Sequence, residues 1–162
     1  CQSRDMWMLR QTEEGDLPAL FEHQRDPESA RMAAFTPRDL PAFLLHWRNR
    51  ILGEPRNLAR TIVVDERVAG FVTSWPQDGA RLVGYWVARE VWGRGVATTA
   101  LAEFLEQVEP FRPLDAFVAT SNRGSIRVLE KCGFELVPGS RETGTDGIEE
   151  VRYRLALLRP GR

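Results

Sequence analysis

The spacing of apolar residues along this chain changes more than once, and each change marks a new element. Residues 7–9 form a short apolar stretch that reads as a strand. The polar segment Glu13, Glu14, Gly15, Asp16 then leads into Leu17, Leu20 and Phe21 at helical spacing, with Asp16 as the expected cap. Thr36-Pro37 predicts a second helix start, a capping hydroxyl followed by proline in the first turn. Leu40, Phe43, Leu44, Trp47 and Ile51 recur there at i, i+3, i+4, i+7 and i+11, until Gly53 stops the run. From Thr61 the period shortens: residues 61–64, 68–75 and 82–87 are β-rich and are separated by two turn-forming segments, which predicts an antiparallel meander. Residues 96–108 return to helical spacing, with Leu101, Phe104, Leu105 and Val108 on one face and Pro110 just beyond. Residues 114–119 read as a strand and 125–132 as a short helix ended by Gly133. Residues 134–137 and 151–157 then read as a closing hairpin around a polar loop at 139–147.

This order, with the meander ahead of a single crossover helix, predicts a mixed α/β sandwich, of the α+β kind. Its mostly antiparallel sheet is expected to have roughly six to seven strands, flanked by about four helices. A chain of 162 residues fits one domain over 1–162, with an N-terminal strand and helices at 6–58, a central sheet at 59–134 and a C-terminal hairpin at 135–162. At 43% hydrophobic and 28% charged, the chain has enough apolar residues to fold around a core of its own. The net charge of −1 removes the basic excess that binding to a phosphate backbone requires, so nucleic acid is not expected as a partner. Two cysteines, Cys1 and Cys132, make neither a disulfide framework nor a zinc cluster, and no metal is expected. No apolar run is long enough to cross a bilayer and no charged-then-apolar leader is visible, so the expectation is a soluble cytoplasmic protein without a membrane partner. Of the 22 cationic side chains, Lys131 is the single lysine.

Candidate chemistry concentrates in two places. The run Trp92-Gly93-Arg94-Gly95-Val96-Ala97-Thr98 turns from the strand ending near Ala88 into the following helix. The first N–H groups of a helix lack internal partners, the helix dipole puts partial positive charge there, and glycines let backbone approach a ligand closely. Pyrophosphate is the natural ligand of such a turn, although a tight strand-to-helix turn alone also accounts for the glycines. The P-loop and the dinucleotide fingerprint both fail on missing residues. The second place is Asn122-Arg123-Gly124-Ser125, followed by an apolar helix face and Cys132-Gly133-Phe134, which by itself reads as a capped and stopped short helix.

Together the two elements resemble the GNAT superfamily of acyl-CoA-dependent N-acyltransferases. In that superfamily a Q/R-x-x-G-x-G/A turn precedes an N-x-x-S or N-x-x-A helix that ends in G-F. Gly95 and Ala97 match the last two positions of the turn, while Trp92 stands in the Gln/Arg position. The context from Tyr85-Trp86 to Gly95 is similar to the branch that contains bacterial ribosomal-protein N-terminal acetyltransferases.

The resemblance implies acetyl-CoA as cosubstrate. The amides of Gly93, Arg94, Gly95, Val96, Ala97 and Thr98 would hold its pyrophosphate, backbone at Trp86, Val87 and Ala88 would pair with the pantetheine arm, and Asn122 would bond that arm from the other side. It further implies an acetyl group moved by direct attack to a primary amine, on a small molecule or a protein N-terminus, with a homodimer as a possible assembly. The tyrosine acid that many relatives place in the second helix is replaced by Leu129, and Ser125 is the donor named instead. Leu82 occupies the place of the usual glutamate base. Glu142 is chosen from Glu142, Glu149 and Glu150, with an ordered water as the other possibility. Those two missing groups motivate an alternative, a catalytically weak acyl-CoA-binding regulatory module. Cys132 has no His nearby in sequence to activate it, so covalent transfer through it is not expected. His23 and His46 read as surface or partly packed residues; Trp47, Trp75, Trp86 and Trp92 could line an acceptor pocket, but large aromatics at this spacing read first as core.

Overall fold

The structure, a computed structural model, describes residues 7–34 and 36–156. It opens with β1 (Trp7–Gln11), a 3-10 turn (Glu14–Asp16), α1 (Leu17–Arg25), α2 (Pro27–Ala33) and α3 (Leu40–Leu45), which continues as a π-helix (His46–Leu52). The meander follows as β2 (Leu58–Val64), β3 (Arg67–Gln77) and β4 (Ala80–Val87). Next come α4 (Val96–Gln107), β5 (Leu114–Ala119), α5 (Arg123–Lys131), β6 (Glu135–Leu136), β7 (Glu142–Thr143) and β8 (Glu149–Leu155).

The eight strands form one sheet in the order β1-β2-β3-β4-β5-β8-β6, with β7 also pairing β8. All pairs are antiparallel except β4 with β5, which run parallel and share one rung, Leu82 with Asp115. Two apolar layers hold it. On one face α4 and α5 set Leu101, Phe104 and Leu129 against Ile62, Val72, Val83 and Leu114, all of them buried. On the other face Leu17, Leu20, Phe43 and Trp47 pack over β2 and β3, where Trp47 meets Phe71 edge-on at 4.9 Å. Full burial of each large side chain contributes about 1.5–3 kcal/mol, so these layers dominate stability. Among the described residues no helix is long and apolar enough to cross a membrane.

The fold class agrees with the sequence reading, and the N-terminal third corrects its details. Asp16 occupies the N-cap position of α1, but its side chain accepts no amide of that helix. Its buried carboxylate accepts a bidentate pair from Arg10 at 2.7 and 2.8 Å, the Glu13 N–H at 2.9 Å and the Thr61 hydroxyl at 2.8 Å, tying β1 to β2. The Thr36-Pro37 start is overruled by Asp39, whose carboxylate accepts the Ala42 N–H at 2.9 Å, and Pro41 then occupies the first turn. Asp26-Pro27 starts an additional helix, α2, by the same device, with the Ser29 N–H donating to Asp26 at 3.0 Å. The polar loop at 139–147 contributes the short β7. Leu157, read as the last strand position, lies outside the described residues.

Candidate active site

Because β4 and β5 share a single rung near their starts, their C-terminal ends part. A cleft of ≈ 370 Å³ opens beside the freed end of β4. Its walls are the end of β4, the N-termini of α4 and α5, and Ser29, Met32 and Ala33 of α2. Among the described residues that line it, none carries a formal charge.

Close approach of β3 fixes the β4 wall: a Cβ on Gly70 would stand 2.1 Å from the Trp86 carbonyl oxygen, so only glycine fits there. The Ala88 N–H donates to the Ala69 carbonyl at 2.8 Å, and the Ala88 carbonyl accepts the Val91 N–H at 3.1 Å. Ladder parity therefore turns the Trp86 backbone toward β3 and the Val87 backbone away from it, into the cleft. The Val87 carbonyl already accepts the Trp92 indole N–H at 2.9 Å. Of the three residues expected to pair with an extended ligand, Ala88 is fully engaged within the chain, and the Val87 N–H is the donor that faces the opening.

The glycine turn has the geometry its sequence predicts. Gly93 and Gly95 adopt φ of +78° and +73°, and a Cβ at either would meet nothing within 4 Å, so both border open space. Gly95 is the N-cap of α4, and its carbonyl accepts the first intrahelical bond from the Thr99 N–H at 3.0 Å. The amides of Val96, Ala97 and Thr98 precede that bond and lie at the positive end of a 12-residue helix. Arg94 points elsewhere, its guanidinium 3.3 Å from the Asp65 carboxylate.

On the α5 side the Asn122 carbonyl oxygen caps the helix by accepting the Ser125 N–H at 3.2 Å, leaving its NH2 for other partners. Ser125 lines the cleft, and its Oγ lies 2.7 Å from the hydroxyl of Tyr85, which also donates to the Ser125 carbonyl at 3.0 Å. Burial pushes the Tyr85 phenol well above its ordinary range, against the pull of the Ser125 hydrogen bond, so it stays protonated. Tyr85 escaped the sequence reading, which took it for a strand position. The available signal was that a tyrosine on an inward-facing strand position must find a partner for its hydroxyl.

The remaining candidates fall outside the cleft. Glu142 is exposed on β7, opposite Glu150 of β8. Glu149 accepts the Thr120 hydroxyl at 3.0 Å. The Cys132 thiol donates to the Thr98 carbonyl at 3.5 Å and is pushed up by burial, so it is held protonated. Burial lowers His23 and His46 alike. Trp47 is core as expected, whereas Trp86 and Trp92 line the cleft, with Trp92 40% exposed.

Solved structures share this architecture. A spermidine N-acetyltransferase from Vibrio cholerae, in complex with CoA and spermine, superposes with a TM-score of 0.77 at 17% identity, over 92% of this chain and 94% of that one. An aminoglycoside acetyltransferase in complex with coenzyme A gives 0.74 at 21% identity, over 93% and 95%. A ribosomal-protein-alanine N-acetyltransferase from Brucella melitensis gives 0.74 at 21%, over 93% and 99%. No curated protein matches the sequence. The family model described as acetyltransferase (GNAT) domain matches residues 7–135, and by that match the chain belongs to the GNAT acetyltransferases.

Proposed function

We propose that this GNAT acetyltransferase uses acetyl-CoA and moves the acetyl group by direct attack of a primary amine, on a small molecule or a peptide terminus. The observation that carries the reading is the set of backbone donors around the parted strands. The amides of Val96, Ala97 and Thr98, beside two glycines that leave space open, suit a pyrophosphate, and the Val87 N–H suits an amide carbonyl of an extended arm. The Asn122 NH2 supplies a donor from the opposite wall.

Bound acetyl-CoA supplies an activated thioester carbonyl to a neutral amine. Ser125 Oγ, bonded to Tyr85 Oη, holds the proton that a departing thiolate needs, and the phenol replaces what Leu129 lacks. Glu142 lies two strand spacings beyond β5, about 10 Å, so it serves the amine's proton through water. The protonated Cys132, turned to the Thr98 carbonyl, supports transfer without a covalent stop on the protein.

Calorimetric titration with acetyl-CoA, desulfo-CoA and ADP tests the binding half of this reading. Micromolar binding of acetyl-CoA, much weaker for ADP, is expected. Gly95→Glu should weaken it by about tenfold or more, because a carboxylate there repels the pyrophosphate. Unchanged affinity in that variant would remove the phosphate site, and no binding by the wild-type protein would remove the proposed function.

A further inference from the structure

We infer that the acceptor is a dipolar amine, one that carries a carboxylate about 7 Å from its nucleophilic nitrogen. The inference rests on the acetyl-CoA reading above and adds the substrate class. With the cofactor donors on the α4 and α5 side, an amine reaches the parted strands from the opposite face. On that face the helices of the described residues pack over β2 and β3 and not over β5 and β8, and Phe117 is 45% exposed.

Strand register orders the side chains on this face. At the parted end Glu150 stands opposite Ala119, with Glu142 beyond it, both exposed. Two residues further along, Arg152 pairs with Phe117 and holds its guanidinium 4.6 Å over the ring. Two more residues along, Asp115, 2% exposed, takes a bidentate pair from Arg154 at 2.8 and 3.0 Å and Arg152 Nη1 at 3.3 Å. Glu135 is the cross-strand neighbour of Arg154 on β6, yet the guanidinium turns to Asp115.

Asp115 shares its charge between two guanidiniums, and Glu135 lies beside Arg154 alone, so the uncompensated positive charge falls at Arg152, fixed by the buried aspartate and the aromatic plate. Each two-residue step along a strand is about 7 Å. The face therefore presents negative charge where the amine must arrive, and an aromatic plate with positive charge one step away. A polyamine has no group for the arginines. An α-amino acid, with its two charges on one carbon, is too short. An ω-amino acid, or a peptide amine with Asp or Glu as its second residue, spans the step.

The test follows transfer from acetyl-CoA to matched pairs: 6-aminohexanoate against hexylamine, and Ser-Asp-Ala amide against Ser-Asn-Ala amide. The same peptides are titrated calorimetrically onto coenzyme A-loaded protein. The acidic member of at least one pair should be preferred by about tenfold in kcat/KM, mostly through KM. The pair that shows the preference tells a free amino acid from a peptide terminus. Arg152→Gln should abolish the preference, Arg152→Lys should keep part of it, and Arg152→Glu should favour Ser-Lys-Ala amide. Equal rates within both pairs, with acetyl-CoA bound and turned over, would overturn this inference and leave the acetyltransferase reading standing. No coenzyme A binding would overturn both.

Discussion

At the scale of single residues, the hydroxyl pair Tyr85–Ser125 bears most directly on catalysis. The phenol is buried, protonated and 2.7 Å from the Oγ of Ser125, a residue that lines the cleft, and the relay proposed above runs through this pair. Tyr85→Phe and Ser125→Ala should each lower kcat by about 10- to 100-fold while acetyl-CoA affinity stays within about twofold, read by thiol-release kinetics beside calorimetry. An unchanged kcat in Tyr85→Phe would take the phenol out of the relay. The sequence exposed one half of this pair, because Ser125 sits in a recognisable helix start. Tyr85 lies forty positions away, and its role depends on a strand-to-helix contact that no local pattern encodes. Asp16 repeats the lesson. A carboxylate ahead of Leu17, Leu20 and Phe21 has the pattern of a cap, and Asp16 does stand at the N-cap, but its carboxylate is taken by Arg10, Thr61 and the Glu13 N–H rather than by the amides of α1.

At the scale of elements, strong periodicity and structure agree wherever local chemistry also sets the ends. The strand Leu114–Ala119 and the helix Val96–Gln107 stand nearly where their spacing predicts them, because Gly95 and Pro110 bound the helix. The helices between residues 27 and 52 were harder, since α2 has little apolar content and α3 passes into a π-helix, which shifts the side-chain rotation that a 3.6-residue period assumes. The turn between β4 and α4 holds a further device. The Trp92 indole bonds the Val87 carbonyl and pins the loop to the strand whose N–H faces the cleft. Trp92→Phe keeps the aromatic surface and removes the donor. Acetyl-CoA affinity should fall about three- to tenfold, because the turn must then order on binding, and the loss should appear in KM with kcat little changed. A kcat loss with KM preserved would place Trp92 in the chemistry instead.

Across the whole molecule, partly buried histidines couple stability to pH. Burial is the main cause of the low values of both His23 and His46, opposed at His23 by Glu90 and Glu22 and reinforced at His46 by Arg38 and Arg50. A base whose folded value is depressed leaves the unfolded chain binding more protons below its ordinary value of 6.5, so stability is complete above that pH and is lost as pH falls through it. Thermal melts between about pH 7.5 and 5.5 should show Tm declining toward acid. His23→Gln and His46→Gln should each flatten that slope. Asp16, held low overall by its Arg10, Glu13 and Thr61 bonds despite burial, titrates in a more acidic window and leaves this one undisturbed.

Lys131 ends α5, exposed, about 13 Å of helix away from Asn122 at the cleft. It bears the only ε-amine in the chain, every other cationic side chain being a guanidinium, which stays protonated and does not act as a nucleophile. Ammonium groups that lose a proton are what a thioester acylates without help. Unassisted acylation of side-chain amines is therefore confined to one position, a full length of α5 away from the Asn122 end of the cleft.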